Sequence, residues 1–274
     1  MHSWTLDDMP DLSGSTAVVT GANSGIGAVT ALVLARSGAR TVLACRDPER
    51  GRRAVDAVRR AAPGSDARLV RLDLADLSSV AEAAEVIAKE VDGRLDLLVN
   101  NAGVMALPPL RTADGFEMQF GTNHLGHFAL TNRLLPVLGV RGQSKLANLL
   151  FTKELDRRAR AAGRDLVALA AHPGLSATEL GQAGPRLAGR NWAARLERTS
   201  RLYTQPASAG ALPVLYAATL PDAPGGSYYG PSRLGETRGA PAPARKSRLA
   251  QDPVMARALW DESARLTGLD ADAV

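Results

Sequence analysis

Along the chain, short apolar runs of strand length alternate with longer segments in which apolar residues recur every three or four positions. Ala17-Val18-Val19 lies in a predicted strand over 15–20, and Ile26, Val29, Val33 and Leu34 mark a helix over 26–37 closed by Gly38. The alternation continues with a strand over 41–45, a basic helix over 48–62, and strands over 68–72 and 95–99 flanking a helix over 77–91. In that last helix Val80, Ala83, Ala84, Ile87 and Val91 share a face, and Ser78 or Ser79 is placed to cap it. A long helix is predicted over 116–138, another over 144–162, a strand over 166–170 and a helix over 206–220. A short strand over 227–230, an extended Pro/Ala connection over 240–245 and an amphipathic helix over 252–266 burying Val254, Leu259 and Leu266 complete the chain. Strands alternating with helices of these lengths predict an α/β fold with a doubly wound parallel sheet.

Composition narrows the picture. The 274 residues, 45% of them hydrophobic, suit one domain over 1–274, with no linker before residue 240. The net charge of +5 comes mostly from arginine at helical spacing, and with only 4% aromatic residues a nucleic-acid surface is not expected. Cys45 is the single cysteine, so a disulfide framework or cysteine metal site is excluded. His124 and His127 share a helix spacing without an HExxH pattern; with His2 and His172 they read as core or surface residues, and no metal site is expected. The first residues lack the basic start and apolar core of a signal peptide, and no apolar run reaches the roughly 18 residues of a membrane span. A cytoplasmic protein without membrane partners is the expectation.

The candidate chemistry centres on Thr20-Gly21-Ala22-Asn23-Ser24-Gly25-Ile26-Gly27, between the first strand and the first helix. Glycines here let the backbone turn sharply and approach a diphosphate, while the N–H groups and dipole of the following helix favour the anion. Immediately after the second strand, Arg46 suits the 2'-phosphate of NADP rather than the ribose diol of NAD, although Asp47 beside it leaves both readings open. Asp73, followed by Leu74 at the end of the third strand, either caps the next turn or bonds an adenine amino group. Asn101, Ala102 and Gly103 after the fourth strand would bring backbone against the cofactor ribose.

With these motifs in order, TGxxxGxG at 20–27, Asp73 and NNAG at 100–103, the chain resembles the short-chain dehydrogenase/reductase family. The segments Ala44-Cys45-Arg46, 121–128 and 142–148 are similar to its retinol dehydrogenase and protochlorophyllide reductase branch. The resemblance implies an NAD(P)-binding Rossmann fold and an NADP-dependent oxidoreductase interconverting a carbonyl and an alcohol on a fairly apolar small molecule. It also implies that Asn123, unless it is a buried amide bonded to neighbouring backbone, and Lys145 belong to the proton relay, with Lys145 holding the nicotinamide ribose. Pro173 and Gly174 would lie beside the nicotinamide, Thr178 would bond the cofactor amide or phosphate unless it caps a helix, and 175–205 would be the substrate lid. The segment 240–274 would be a C-terminal extension. Oligomeric state stays open; in the family the helices flanking the next feature commonly form a dimer interface.

That feature is a break in the resemblance. Family members continue into a fifth strand ending in serine, a loop, and Tyr-x-x-x-Lys; the tyrosine exchanges a proton with the substrate oxygen and the serine orients the carbonyl. Here Leu138 is followed by Gly139-Val140-Arg141-Gly142-Gln143-Ser144-Lys145, with Arg141 at the tyrosine position. Roughly 30 residues, about one strand-and-loop unit, are missing on this reading, and the strand before the Lys145 helix is expected to be absent. Arg141 stays protonated and is a poor proton donor. The alternative function is therefore a catalytically impaired or non-redox relative that binds NADP without hydride transfer.

Overall fold

The computed structural model describes residues 3–144, 149–176, 205–272 and 274. Eight strands form one sheet in the order β3-β2-β1-β4-β5-β6-β7-β8. They are β1 (Thr16–Thr20), β2 (Arg40–Cys45), β3 (Ala67–Arg71), β4 (Leu95–Asn100), β5 (Leu138–Ser144), β6 (Val167–Ala171), β7 (Tyr228–Arg233) and β8 (Arg238–Pro243). Every pairing is parallel except that of β7 with β8. Parallel strands covered on both faces read as unbroken apolar runs, and Ala17, Val18 and Val19 are fully buried.

Helices α1 (Gly25–Arg36), α2 (Pro48–Ala61) and α7 (Ala207–Thr219) cover one face; α3 (Leu77–Glu90), α5 (Gly126–Leu134) and α6 (Leu149–Ala161) cover the other. The first helices match their expected spans closely. Asp76, rather than Ser78 or Ser79, caps α3, accepting the N–H groups of both serines at 2.9 and 3.3 Å. A carboxylate one residue earlier suits the positive helix end better than a hydroxyl inside the first turn.

Three expectations need correction. The long helix over 116–138 is a single α turn, α4 (Met118–Phe120), a π turn over Gly121–Leu125, and α5, which ends at Leu134. The strand expected to be absent is present: Leu138 to Ser144 forms β5, with Ser144 in register with Asn100 of β4 and Ala170 of β6. A strand rises about 3.3 Å per residue against 1.5 Å in a helix, so seven residues return roughly the length of α4 through α5. Ser144, expected from sequence to open the next helix, is instead the last residue of this return. Finally, the Pro/Ala connection over 240–245 gives way to β8, an antiparallel edge strand whose Pro241 and Pro243 are tolerated because one edge needs no partners.

The last helix, α8 (Pro253–Thr267), packs on α6 through Ala256, Trp260, Ser263 and Ala264, while Val254 is 67% exposed. The helical period was correct but the buried face is rotated toward the largest side chain. Trp260 stacks on Phe151 at 5.6 Å, meets Phe128 edge-on at 4.9 Å, carries the Arg158 guanidinium over its ring and donates Nε1–H to the Ala271 carbonyl.

Candidate cofactor site

Strand order reverses between β1 and β4, and in such sheets ligands bind at the carboxyl ends beside that switch point. The glycine loop follows β1 there, and Asn100 to Gly103 closes β4 opposite it. Gly21 and Gly25 have φ of +65° and +55°, a conformation that favours glycine. A Cβ on Gly27 would overlap Asn101 Nδ2 and the Gly21 carbonyl oxygen, so glycine lets α1 start hard against both turns. Ser24 stands at the N-cap of α1 without bonding back to the helix, so its side chain satisfies none of the first-turn N–H groups. Ile26 is buried beside α7, and Asn23 and Ser24 are half-buried on the loop. The loop fits a diphosphate: it has close backbone approach and a helix start without a side-chain cap.

Thr20 joins the two turns. Its hydroxyl oxygen accepts the N–H groups of Asn101 and Ala102, both at 2.9 Å, and lies 3.0 Å from His127 Nε2. Asn101 Nδ2 donates to the Thr20 carbonyl at 2.9 Å. His127 Nδ1 faces the Asn123 carbonyl, which can only accept, so Nδ1 carries the proton and Nε2 accepts from Thr20. Glycine loop, NNAG turn and π turn are thus fixed around one hydroxyl. Sequence reading assigned Thr20 and His127 no such part; the signals available were a threonine directly before the first glycine and the four-residue spacing of His127 from Asn123.

Asn123 lies in the π turn and spends both ends of its side chain on Val104: Oδ1 accepts its N–H at 2.7 Å and Nδ2 donates to its carbonyl at 2.8 Å. π turns of this kind concentrate at functional sites. Asp73 Oδ1 accepts the Ala75 N–H at 3.0 Å, which is the capping role, and Leu74 is buried with its carbonyl pressed on Gly126.

At the end of β2, Arg46 is exposed. Asp47 is engaged: it caps α2 by accepting the N–H groups of Glu49 and Arg50 at 2.9 and 3.1 Å, and these bonds hold its carboxyl below the usual range. Burial pushes the Cys45 thiol up to about 11 despite the nearby N–H groups of Ala22 and Asn23.

Pro173 and Gly174 follow β6 at the same edge. Gly174 has φ +62°, and a Cβ there would overlap the Thr237 carbonyl. Gln205 Nε2 and Ser176 Oγ both donate to the Pro173 carbonyl, at 2.6 and 2.7 Å. Met105 and Phe120, on the segment between β4 and α5, are exposed apolar side chains at 48% and 38%. Lys145 and Thr178 lie outside the described residues, as do 177–204 of the expected lid. Among the described residues no helix is long and apolar enough to cross a membrane, and no cluster of three or more His, Cys, Asp or Glu could hold a metal.

Comparison with known proteins agrees with this geometry. Residues 15–149 match the short chain dehydrogenase family. Human retinol dehydrogenase 13 is 39% identical over an aligned span of 308 residues that covers 96% of this chain and 87% of that protein. The chain belongs to the short-chain dehydrogenase family.

Among solved structures, an uncharacterized protein of Mycobacterium paratuberculosis is 40% identical, with a TM-score of 0.79 over 98% of this chain and 99% of its own. A Burkholderia phymatum short-chain dehydrogenase in complex with NAD (26% identical, TM-score 0.61, 76% and 87% covered) and a Burkholderia cenocepacia one in complex with NADP (25%, 0.59, 76% and 92%) are more distant. Nicotinamide dinucleotides of both kinds are therefore bound by relatives of this chain.

Proposed function

We propose that this member of the oxidoreductase family binds NADP(H), as a single Rossmann-type unit, and that its chemistry is interconversion of a carbonyl and an alcohol on an apolar small molecule. One observation carries the cofactor choice: Asp47 is consumed as a helix cap while Arg46 beside it stays exposed at the end of β2. A carboxylate so engaged is a poor partner for a ribose diol, whereas a guanidinium pairs with a phosphate through charge-assisted bonds. The glycine loop N–H groups hold the diphosphate, Asn101 to Gly103 bound the ribose, and Pro173-Gly174 line the nicotinamide end. Thr178 and Lys145 complete the cofactor contacts in this reading. When bound, the nicotinamide gives or takes the hydride; Asn123 orders the turn beside it, and Lys145 and Asn123 serve proton movement. The exposed Met105 and Phe120 support an apolar substrate.

A second reading, binding without hydride transfer, is favoured by β5. Arg141, at the family's tyrosine position, pairs within the strand with Leu97 and Val167. Tyr228 and Tyr229 are buried, and Tyr216 packs edge-on against Trp4 and Tyr229. An aligned span longer than the whole chain also supports an internal deletion, since the human relative then carries residues without a counterpart here.

Fluorescence titration with NADPH and NADH tests the cofactor reading. Arg46→Ala is expected to lower the preference for NADPH by about 10- to 100-fold, the range of one or two charged hydrogen bonds. Failure of the unaltered chain to bind NADPH would refute both readings. Turnover across a panel of apolar aldehydes and ketones selects the first reading; tight binding with no turnover selects the second.

A further inference from the structure

His172, the last residue before the Pro173-Gly174 turn, is held from three sides. Its Nδ1 accepts the Gly174 N–H at 3.3 Å, so in the neutral ring the proton sits on Nε2. Nε2 faces Glu236 Oε2 at 3.4 Å, an electrostatic contact, and makes no hydrogen bond among the described residues. The ring leans on Tyr228 with centroids 5.1 Å apart, and a Cβ on Gly230 would overlap Nε2, so glycine leaves the ring its place.

Glu236 reaches this position through an unusual turn. Leu234, Gly235 and Glu236, joining β7 to β8, have φ of +51°, +63° and +65°, and two of the three carry side chains that rarely adopt this conformation. Leu234 is 74% exposed, so burial of its side chain does not account for the turn. The turn's contacts run to both sides: Glu236 Oε1 accepts the N–H of Arg245, just past β8, at 2.9 Å, while toward the end of β6 Oε2 faces His172 and the Thr237 carbonyl accepts the Leu175 N–H at 3.1 Å. A carboxylate beside one ring nitrogen of a histidine fixes which nitrogen carries the proton.

We propose that Glu236 is a positioning residue: by holding the proton of His172 on Nε2, it keeps Nδ1 free to accept the Gly174 N–H and so sets the turn that lines the nicotinamide end of the cofactor. The proposal rests on the cofactor reading above. Glu236 and Tyr228 are the titratable groups facing the ring, and burial holds the imidazole pKa below its ordinary value, keeping the ring neutral at pH 7. Protonation would put a second N–H against that of Gly174 and release the turn.

The test combines histidine-ring nitrogen NMR with NADPH titration on the full chain at neutral pH, for the unaltered protein, Glu236→Ala and Glu236→Gln. The unaltered protein should show His172 protonated on Nε2. Glu236→Ala should spread the proton over both nitrogens and raise the Kd for NADPH about fivefold, the factor corresponding to one ordinary hydrogen bond. Glu236→Gln, which keeps an oxygen facing Nε2–H, should restore both. A changed Kd with an unchanged tautomer, or a changed tautomer with an unchanged Kd, would overturn the proposal. If the unaltered chain and the variants alike fail to bind NADPH, the cofactor reading falls and this proposal with it.

Discussion

Replacing Thr20 by valine keeps the volume and branching of the side chain and removes one oxygen. That oxygen accepts the N–H groups of Asn101 and Ala102 and lies 3.0 Å from His127 Nε2. The Asn101 N–H keeps a second acceptor, the Val99 carbonyl at 2.9 Å, whereas the half-buried Ala102 N–H loses its partner and is only partly recovered by solvent. An unsatisfied buried donor costs about 1–3 kcal/mol, and with Ala102 the one N–H left without its partner, Thr20→Val should destabilise by about 1–3 kcal/mol. For a chain of this size that corresponds to a fall in Tm of roughly 5 °C. Because the same hydroxyl fixes the glycine loop against the NNAG turn, the Kd for NADPH should rise more than about tenfold, as the loss of a further 1.4 kcal/mol would give. Thermal denaturation followed by circular dichroism and NADPH fluorescence titration measure the two effects, with Thr20→Ser as the control that keeps the hydroxyl. A valine variant melting within about 2 °C of the unaltered protein, on the same scale, and binding NADPH equally well would show that the hydroxyl does not join these turns.

Gly27→Ala should weaken NADPH binding and cost about 1–3 kcal/mol, because its methyl group meets backbone at Gly21 as well as the Asn101 amide; an unchanged Tm in a thermal melt would contradict the packing described. Trp260→Ala should cost about 3–5 kcal/mol by emptying the space between Phe128, Phe151 and Arg158, read as a lower urea midpoint. Burial pushes the Cys45 thiol up to about 11 from an ordinary value of 9.0, so the folded state binds more protons between those values and its stability falls as pH rises from 9 to 11. Denaturant titrations across that window should lose on the order of 2 kcal/mol, and Cys45→Ala should lose less; Tyr228, pushed up to about 12, contributes in the same direction above pH 10.

Much of this arrangement was legible because local signals agreed with the global fold. Apolar runs of five or six residues followed by glycine and a 3.6-residue period gave β1 with α1, and similar runs gave the other early strands, and the glycine loop lay where its motif required. What escaped had physical reasons. The segment Leu138-Gly-Val-Arg-Gly-Gln-Ser has two glycines and three polar residues, so nothing in it signals a strand. It becomes one because β4 and β6 each present a row of backbone groups that must be paired when buried. Thr20, His127 and Glu236 were missed because their partners are distant: Thr20 meets Asn101 and His127 across 81 and 107 positions. Single-residue spacing carries no trace of such encounters. For Asp47, the two cap bonds that occupy its carboxylate could not be read from its place beside Arg46.

β5 occupies the interior of the sheet, where strands are ordinarily the last to open, yet its sequence, with two glycines and three polar residues, is a poor strand former. Its amides are therefore expected to exchange with solvent sooner than those of β1 or β4. Opening at this seam divides the sheet into two leaves: β3-β2-β1-β4, with the glycine loop and the NNAG turn, and β6-β7-β8, with Pro173 and Gly174. A dinucleotide held at its diphosphate by one leaf and at its nicotinamide by the other would act as a staple across the seam. In that sense the ligand would complete the sheet as much as occupy it.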